Sequence, residues 1–202
     1  MRIGVLGGTF DPLHIGHLIL GAEAHHQLGL DRLLWVLTPD PPHKIGRAII
    51  PLAYRLKMLQ AAIAGNPAFS LSRVEIDRPP PHFAVDTLRL LNAQFSEAAL
   101  FYIMGGDSLH DLPDWHTPLE FLAECEGVGV MRRPGDRIDL TGLEARLPGI
   151  TQKVRFIDAP LLEISASEIR TRIRQGRPYR YFLPPPVYRI IQELGLYVDY
   201  TQ

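Results

Sequence analysis

A single cysteine, Cys125, stands in the whole chain, so no internal disulfide can form. With no histidine or asparagine motif beside it, this thiol reads as a small buried apolar residue. An excess of either charge is also missing: 21 basic residues meet 22 acidic ones for a formal net charge of −1, which removes any global field that would recruit nucleic acid or a membrane surface. No apolar run approaches the roughly 18 residues of a membrane span, and the first residues lack a basic stretch followed by a long apolar one. These absences predict a cytoplasmic protein that works on neither nucleic acid nor membrane. The common nucleotide and metal signatures GxxxxGK[ST], GxGxxG, HExxH and CxxC are absent as well, so neither a P-loop nor a zinc site is expected.

What is present fits one domain. A chain of 202 residues with 46% hydrophobic content can bury one α/β core, and two would be cramped. The expectation is a single unit over 1–202, with a helical portion from about residue 160. The apolar run Ile3-Gly4-Val5-Leu6 reads as a buried parallel strand, followed by Gly7-Gly8-Thr9-Phe10-Asp11-Pro12-Leu13-His14-Ile15-Gly16-His17. Gly7 and Gly8 are expected to bend the backbone sharply and let it approach an anion, with the positive end of the next helix beside them. His14 and His17, three residues apart, fall on one helix face where both imidazoles can donate to phosphate oxygens. The competing reading is one packed histidine and one turn cap.

This segment resembles the T/HxGH signature of the nucleotidyltransferase superfamily, in the GGTFDPxHxGH form of bacterial nicotinate-nucleotide adenylyltransferases. The resemblance implies ATP contacts from Gly7, Gly8, Thr9 and Phe10, a mononucleotide contact from Asp11, and catalytic roles for His14 and His17. Strand, helix and strand through Leu33-Leu34-Trp35-Val36-Leu37 give a parallel βαβ unit with a right-handed crossover. The helix is expected over Ile15 to Leu28, closed by Gly29, with His25 and His26 mid-helix on the surface. Pro41-Pro42-His43-Lys44 then leaves the carboxyl end of the second strand; alone it reads as a solvated loop, whereas the family's PPHK counterpart implies that Lys44 contacts the triphosphate and the mononucleotide. Leu52, Leu56, Leu59 and Ile63 form a helical stripe before Gly65; the resemblance allows a phosphate contact from Arg55 or Lys57, while a charged outer face is the simpler reading of both.

Arg78 and Val85-Asp86-Thr87-Leu88 match the family, but Pro80-Pro81-His82-Phe83-Ala84 replaces its Gly-Pro-Ser-Tyr-Thr. In relatives this stretch holds the nicotinate ring and carboxylate, which leaves backbone donors at Phe83 and Ala84 for the same work. After the strand Leu100 to Met104, Gly105-Gly106-Asp107 satisfies the family's Gly-x-Asp; an acid there suits ribose hydroxyls, and helix capping is the alternative. Trp115 by itself reads as core or as a stacking platform, and by resemblance it would stack on the pyridine ring. Arg132-Arg133-Pro134-Gly135 matches an element near the nucleotide, which brings in Arg133. Finally, Ile164-Ser165-Ala166-Ser167-Glu168-Ile169-Arg170 is similar to ISSTxIR. Ser167 reads as an N-cap and, by resemblance, as a phosphate ligand. Arg170 is expected in the first turn of that helix, where a cation calls for an intervening anion.

The expected fold is α/β and Rossmann-like, a doubly wound, mostly parallel sheet with helices on both faces. The implied reaction is attack by nicotinate mononucleotide on the α-phosphorus of ATP, with Mg²⁺ carried by ATP and with His14, His17, Lys44 and Arg170 supplying positive charge. A phosphate monoester has its second pKa near 6 and is mostly a dianion at neutral pH, so no general base is needed. Alternatives are a nicotinamide-mononucleotide or phosphopantetheine adenylyltransferase and, from another class, a catalytically silent nucleotide-binding regulator. A homo-oligomer is compatible with the sequence.

Overall fold

The computed structural model describes residues 1–41, 48–131, 138–160 and 162–198. Its strands are β1 (Arg2–Gly8), β2 (Arg32–Leu37), β3 (Phe69–Ser72), β4 (Ala99–Gly105), β5 (Gly127–Met131) and β6 (Val154–Ile157). Between and after them run α1 (Ile15–Gln27), α2 (Leu52–Ile63), α3 (Ala84–Gln94), α4 (Gly106–Asp111), α5 (Pro118–Glu124), α6 (Leu140–Arg146), α7 (Ile150–Lys153), α8 (Ala166–Arg174) and α9 (Pro185–Leu194). The strands form one six-stranded sheet in the order β3-β2-β1-β4-β5-β6, every neighbouring pair parallel. Parallel pairing needs crossovers, and the helices that supply them cover both faces, so the strands are apolar on both sides.

The pleat divides those side chains. Ile3 and Val5 of β1, Leu34 and Val36 of β2 and Val128 and Val130 of β5 face α3, α5 and α6. Leu6, Leu33, Trp35, Leu37 and Ile103 face Leu20 and Ala24 of α1 and Leu59 and Ile63 of α2. Cys125 is buried in the first of these cores, and burial pushes its thiol up to about 11, in keeping with an inert apolar role. A third apolar cluster lies apart from the sheet. Ile50 and Met58, next to and on α2, meet Ile169 and Ile173 of α8, Val187 and Ile191 of α9, and Tyr197. Each such aliphatic side chain, once buried, contributes about 1.5–3 kcal/mol, and so the chain's end docks firmly on α2.

The strand order reverses between β1 and β4, whose exit loops part to opposite sides and open a crevice at their carboxyl ends. Helix α1 is closed as expected by Gly29, at φ +57. His25 and His26 fall in its last turn and not mid-helix, a position that suits side chains able to carry positive charge.

Candidate active site

The turn that carries β1 into α1 is made differently from the sequence expectation. Gly7 and Gly8 are the last two residues of the strand and do not form the bend, which falls at Phe10, φ +48. What the glycines provide is room. A Cβ at Gly7 would lie 2.9 Å from the Tyr102 hydroxyl, and one at Gly8 would lie 2.9 Å from the Phe10 ring. Phe10 is buried and sets its ring edge-on to His17, with centroids 5.1 Å apart, and against Trp35 at 5.6 Å. Thr9 is buried beside it.

His14 is the N-cap of α1 and His17 the third residue of its first turn. Their rings stack at 3.7 Å with planes 27° apart. The His14 backbone N–H donates to His17 Nδ1 at 3.2 Å. A ring nitrogen that accepts a hydrogen bond cannot carry the proton, so this contact assigns the His17 proton to Nε2, on the opposite edge of the ring, where it can donate to an incoming oxygen. No acidic residue occupies the first turn of α1, and the helix end keeps its positive field. Gly16 serves the pair, since a Cβ there would come within 3.1 Å of His14 Nδ1.

Three side chains from distant segments hold this loop. Arg55 is 3% exposed, so its expected place on an outer face of α2 is overturned. Its Nε donates to the carbonyl of Ile50 at 3.1 Å, Nη1 to those of Thr9 at 3.1 Å and Thr38 at 2.8 Å, and Nη2 to that of Pro39 at 2.8 Å. The exits of β1 and β2 and the approach to α2 are thereby tied to one guanidinium. Arg170 Nη1 donates to the carbonyl of Asp11 at 2.7 Å, while its buried Nε has no hydrogen-bond partner. Tyr197 donates to Asp11 Oδ1 at 2.8 Å. Asp11 is 5% exposed, its acid pushed up by burial against the opposing pull of Tyr197, Arg170 and Arg55. The Asp11 carboxylate thus faces the protein, and mononucleotide contact through it, as expected from sequence, does not fit this geometry.

The N-cap of α8 is Ser165, whose side chain accepts from the Glu168 N–H at 3.1 Å, and not Ser167. Ser167 is exposed in the first turn, so capping does not use its hydroxyl. The shift of two places puts Arg170 at the fifth helical position, at the start of the second turn, where the dipole argument weakens and the contact with Asp11 takes over.

On the other side of the crevice, Arg78 grips the loop before α3: Nη1 donates to the carbonyl of Pro81 at 2.7 Å, and Nη2 to the carbonyl of Phe83 at 3.1 Å and to Thr87 Oγ1 at 3.2 Å. The Thr87 hydroxyl in turn donates to buried Glu75 at 2.6 Å. Burial pushes the Glu75 acid up, against the Thr87 and Thr38 hydroxyls and the Arg78 charge. Arg78 Nε and His82 Nδ1 are buried without a hydrogen bond, and burial and Arg78 together hold the His82 imidazolium below its ordinary range, against Asp40. Phe83, the N-cap of α3, stacks on His116 at 4.1 Å, with Ala84 the first helical residue after it. Half-buried Trp115 meets Tyr102 and Phe121 edge-on at 6.1 and 5.3 Å. It packs at the edge of the first core and stays partly exposed. Gly105 ends β4 and caps α4, with exposed Asp107 at the second helical position, so Asp107 is not the cap.

The structure therefore brings His14, His17 and Arg170 onto one loop, with Phe83, Ala84 and Trp115 in a second group. Lys44, His43 and Arg133 lie outside the described residues. Glu75 and Tyr197 were missed by the sequence reading, and Arg55 was set on the wrong face of its helix. Arg55 did leave a signal: three residues after Leu52 and four before Leu59, it shares their apolar face.

A wholly parallel sheet in this order, with paired imidazoles at a helix start beside its switch point, defines a nucleotidyltransferase of the doubly wound α/β class. Residues 5–172 match the family described as cytidylyltransferase-like. A probable nicotinate-nucleotide adenylyltransferase from Thermomicrobium roseum is 47% identical over 97% of this chain and 91% of its own length. One from a Roseiflexus species is 43% identical over 96% and 97%. The chain belongs to the cytidylyltransferase-like family and, within it, to the nicotinate-nucleotide adenylyltransferases. The fold is shared with the nicotinic acid mononucleotide adenylyltransferase of Plasmodium falciparum complexed with NaAD, at a TM-score of 0.81 and 18% identity over 99% of this chain and 98% of that one.

Proposed function

We propose that the protein transfers AMP from ATP to nicotinate mononucleotide, giving deamido-NAD and pyrophosphate. The observation that carries this reading is the histidine pair: stacked rings at the positive end of α1, with His17 locked as an acceptor at Nδ1 and hence a donor at Nε2. Adenylyl transfer by a phosphate dianion asks for alignment and for donors on the α-phosphoryl oxygens, not for a base. His14 and His17 supply those donors. Arg170, anchored by Nη1, has a second edge to turn toward the triphosphate, joined by the Ser167 hydroxyl and, on the strength of the resemblance, by Lys44 and Arg133. Gly7, Gly8, Thr9 and Phe10 form the floor on which the triphosphate lies, and Gly105 and Asp107 face the ribose.

Among the described residues no three His, Cys, Asp or Glu side chains gather where they could hold a metal. Magnesium is assigned to the substrate by the resemblance, entering on the phosphates of ATP with water as its other ligands. For the acceptor, the backbone N–H groups of Phe83 and Ala84 support a carboxylate-bearing ring. No side chain caps α3, and no described residue accepts from either group. Trp115 offers its flat face to that ring. No described helix is long and apolar enough to cross a membrane, and the reading carries a cytoplasmic setting. Pyrophosphate release measured with ATP and, in turn, nicotinate mononucleotide, nicotinamide mononucleotide and phosphopantetheine tests the assignment. Turnover is expected to be highest with the first; preference for either of the others, or no release with any, overturns it.

A further inference from the structure

Asp11 sits in the loop that delivers the histidine pair, yet its carboxylate turns inward, with Oδ1 2.8 Å from the Tyr197 hydroxyl and Oδ2 3.8 Å from Arg170 Nη1. Tyr197 comes from the other end of the chain, two residues past Gly195, the αL residue that ends α9. It is 3% exposed and adopts φ +70, a conformation that a residue with a bulky side chain keeps only where its surroundings dictate it. Those surroundings are the apolar cluster of α2, α8 and α9. The hydroxyl is therefore presented to Asp11 by a packed mount and not by a loose tail.

Between Asp11 and the N-cap His14 lie only Pro12, whose ring fixes φ, and Leu13, which is fully buried. A movement of Asp11 has little slack in which to dissipate before it reaches the imidazoles. Removing the Tyr197 hydroxyl strips a hydrogen bond from a carboxylate closed to water, and displacement of the loop is the available relief.

We propose that Tyr197 is a positioning residue for adenylyl transfer: by holding Asp11 it keeps the 9–13 loop, and with it His14 and His17, in register with the α-phosphate of ATP. The proposal rests on the activity assigned above. It makes the C-terminal segment part of the frame of the active site.

Tyr197→Phe keeps the ring in its cluster and removes only the hydroxyl. The expected result is a kcat lower by about tenfold, since misplacement of catalytic groups by an ångström or less carries losses of that order or more. KM for ATP should stay within about twofold and the melting temperature within a few degrees. The imidazole ¹⁵N signals of His17 should shift from their wild-type acceptor and donor pattern, a readout that needs no turnover. In a double variant with Asp11→Ala, which removes the acceptor, kcat should fall no further than in the worse single variant, because both changes break one contact; should Asp11→Ala fail to fold, the single variant decides alone. A Tyr197→Phe enzyme with kcat within twofold of wild type and unshifted His17 signals overturns the proposal, as does a kcat loss that merely tracks the loss of folded protein. If wild type itself released no pyrophosphate with nicotinate mononucleotide, the activity assignment would fall while the His17 signals still decided the role of Tyr197.

Discussion

The two sides of the crevice are built on opposite terms. On the ATP side, buried donors from α2, α8 and the C-terminal segment converge on the loop after β1: Arg55 takes the carbonyls of Thr9, Thr38, Pro39 and Ile50, and Arg170 and Tyr197 take Asp11. On the acceptor side, Arg78 grips its loop in similar fashion, but its partners Pro81, Phe83 and Thr87 all lie within nine residues of it, whereas Arg170 and Tyr197 reach Asp11 from 159 and 186 residues away. Phosphoryl chemistry common to every substrate calls for fixed donors, which the first side supplies in the protein alone. The second side is fastened within its own stretch of chain, from Glu75 to Thr87.

The sharpest way to break this contrast is His17→Ala. Loss of a preorganised donor should lower kcat by on the order of a hundredfold or more. Because His17 also accepts from the cap N–H of His14, stability should fall by about 1 kcal/mol in urea unfolding, far too little to explain the rate. Next in size is Arg55→Met, which strands two buried and two part-buried carbonyls and should cost about 3–5 kcal/mol of unfolding free energy, with Arg55→Lys recovering only part because one ammonium cannot reach all four. Arg78→Met, on the acceptor side, should instead act on binding: a KM for the mononucleotide higher by about tenfold, against a stability change of only about 1–2 kcal/mol for this part-buried group. Equal destabilisation by the two arginine variants would erase the distinction.

The smallest effect concerns pH. Glu75 binds its proton more tightly folded than unfolded, so wild-type stability should decline as pH rises from the ordinary glutamate value of 4.5 into the range where the folded group ionises. Glu75→Gln removes that decline while keeping an acceptor for Thr87. Its melting temperature relative to wild type should therefore improve between pH 4.5 and pH 7; a constant difference would place Glu75 among ordinarily solvated acids.

Much of this was readable from residue order. The strand runs, the βαβ alternation and the histidine pair at a helix start follow from apolar periodicity and from spacing, which are local. The errors came where the decisive partner is remote. Glycines after a strand read as a bend, yet Phe10 turns the chain because its ring has Trp35 and His17 to pack against. Ser165 and Ser167 are equally good caps by type, and only the backbone decides between them. The bond from Tyr197 to Asp11 joins residues 186 apart, a separation that leaves no mark on either neighbourhood.

The hydrogen bonds from Arg55 to Thr9, Thr38, Pro39 and Ile50 all fall on main-chain oxygens, and main-chain oxygens are the same whatever residue carries them. Positions 38, 39 and 50 can therefore change identity without releasing the guanidinium, provided the path of the backbone is kept. A scaffold fastened in this way leaves the lettering around its opening free to be rewritten for other acceptors while the phosphate machinery stays as it is.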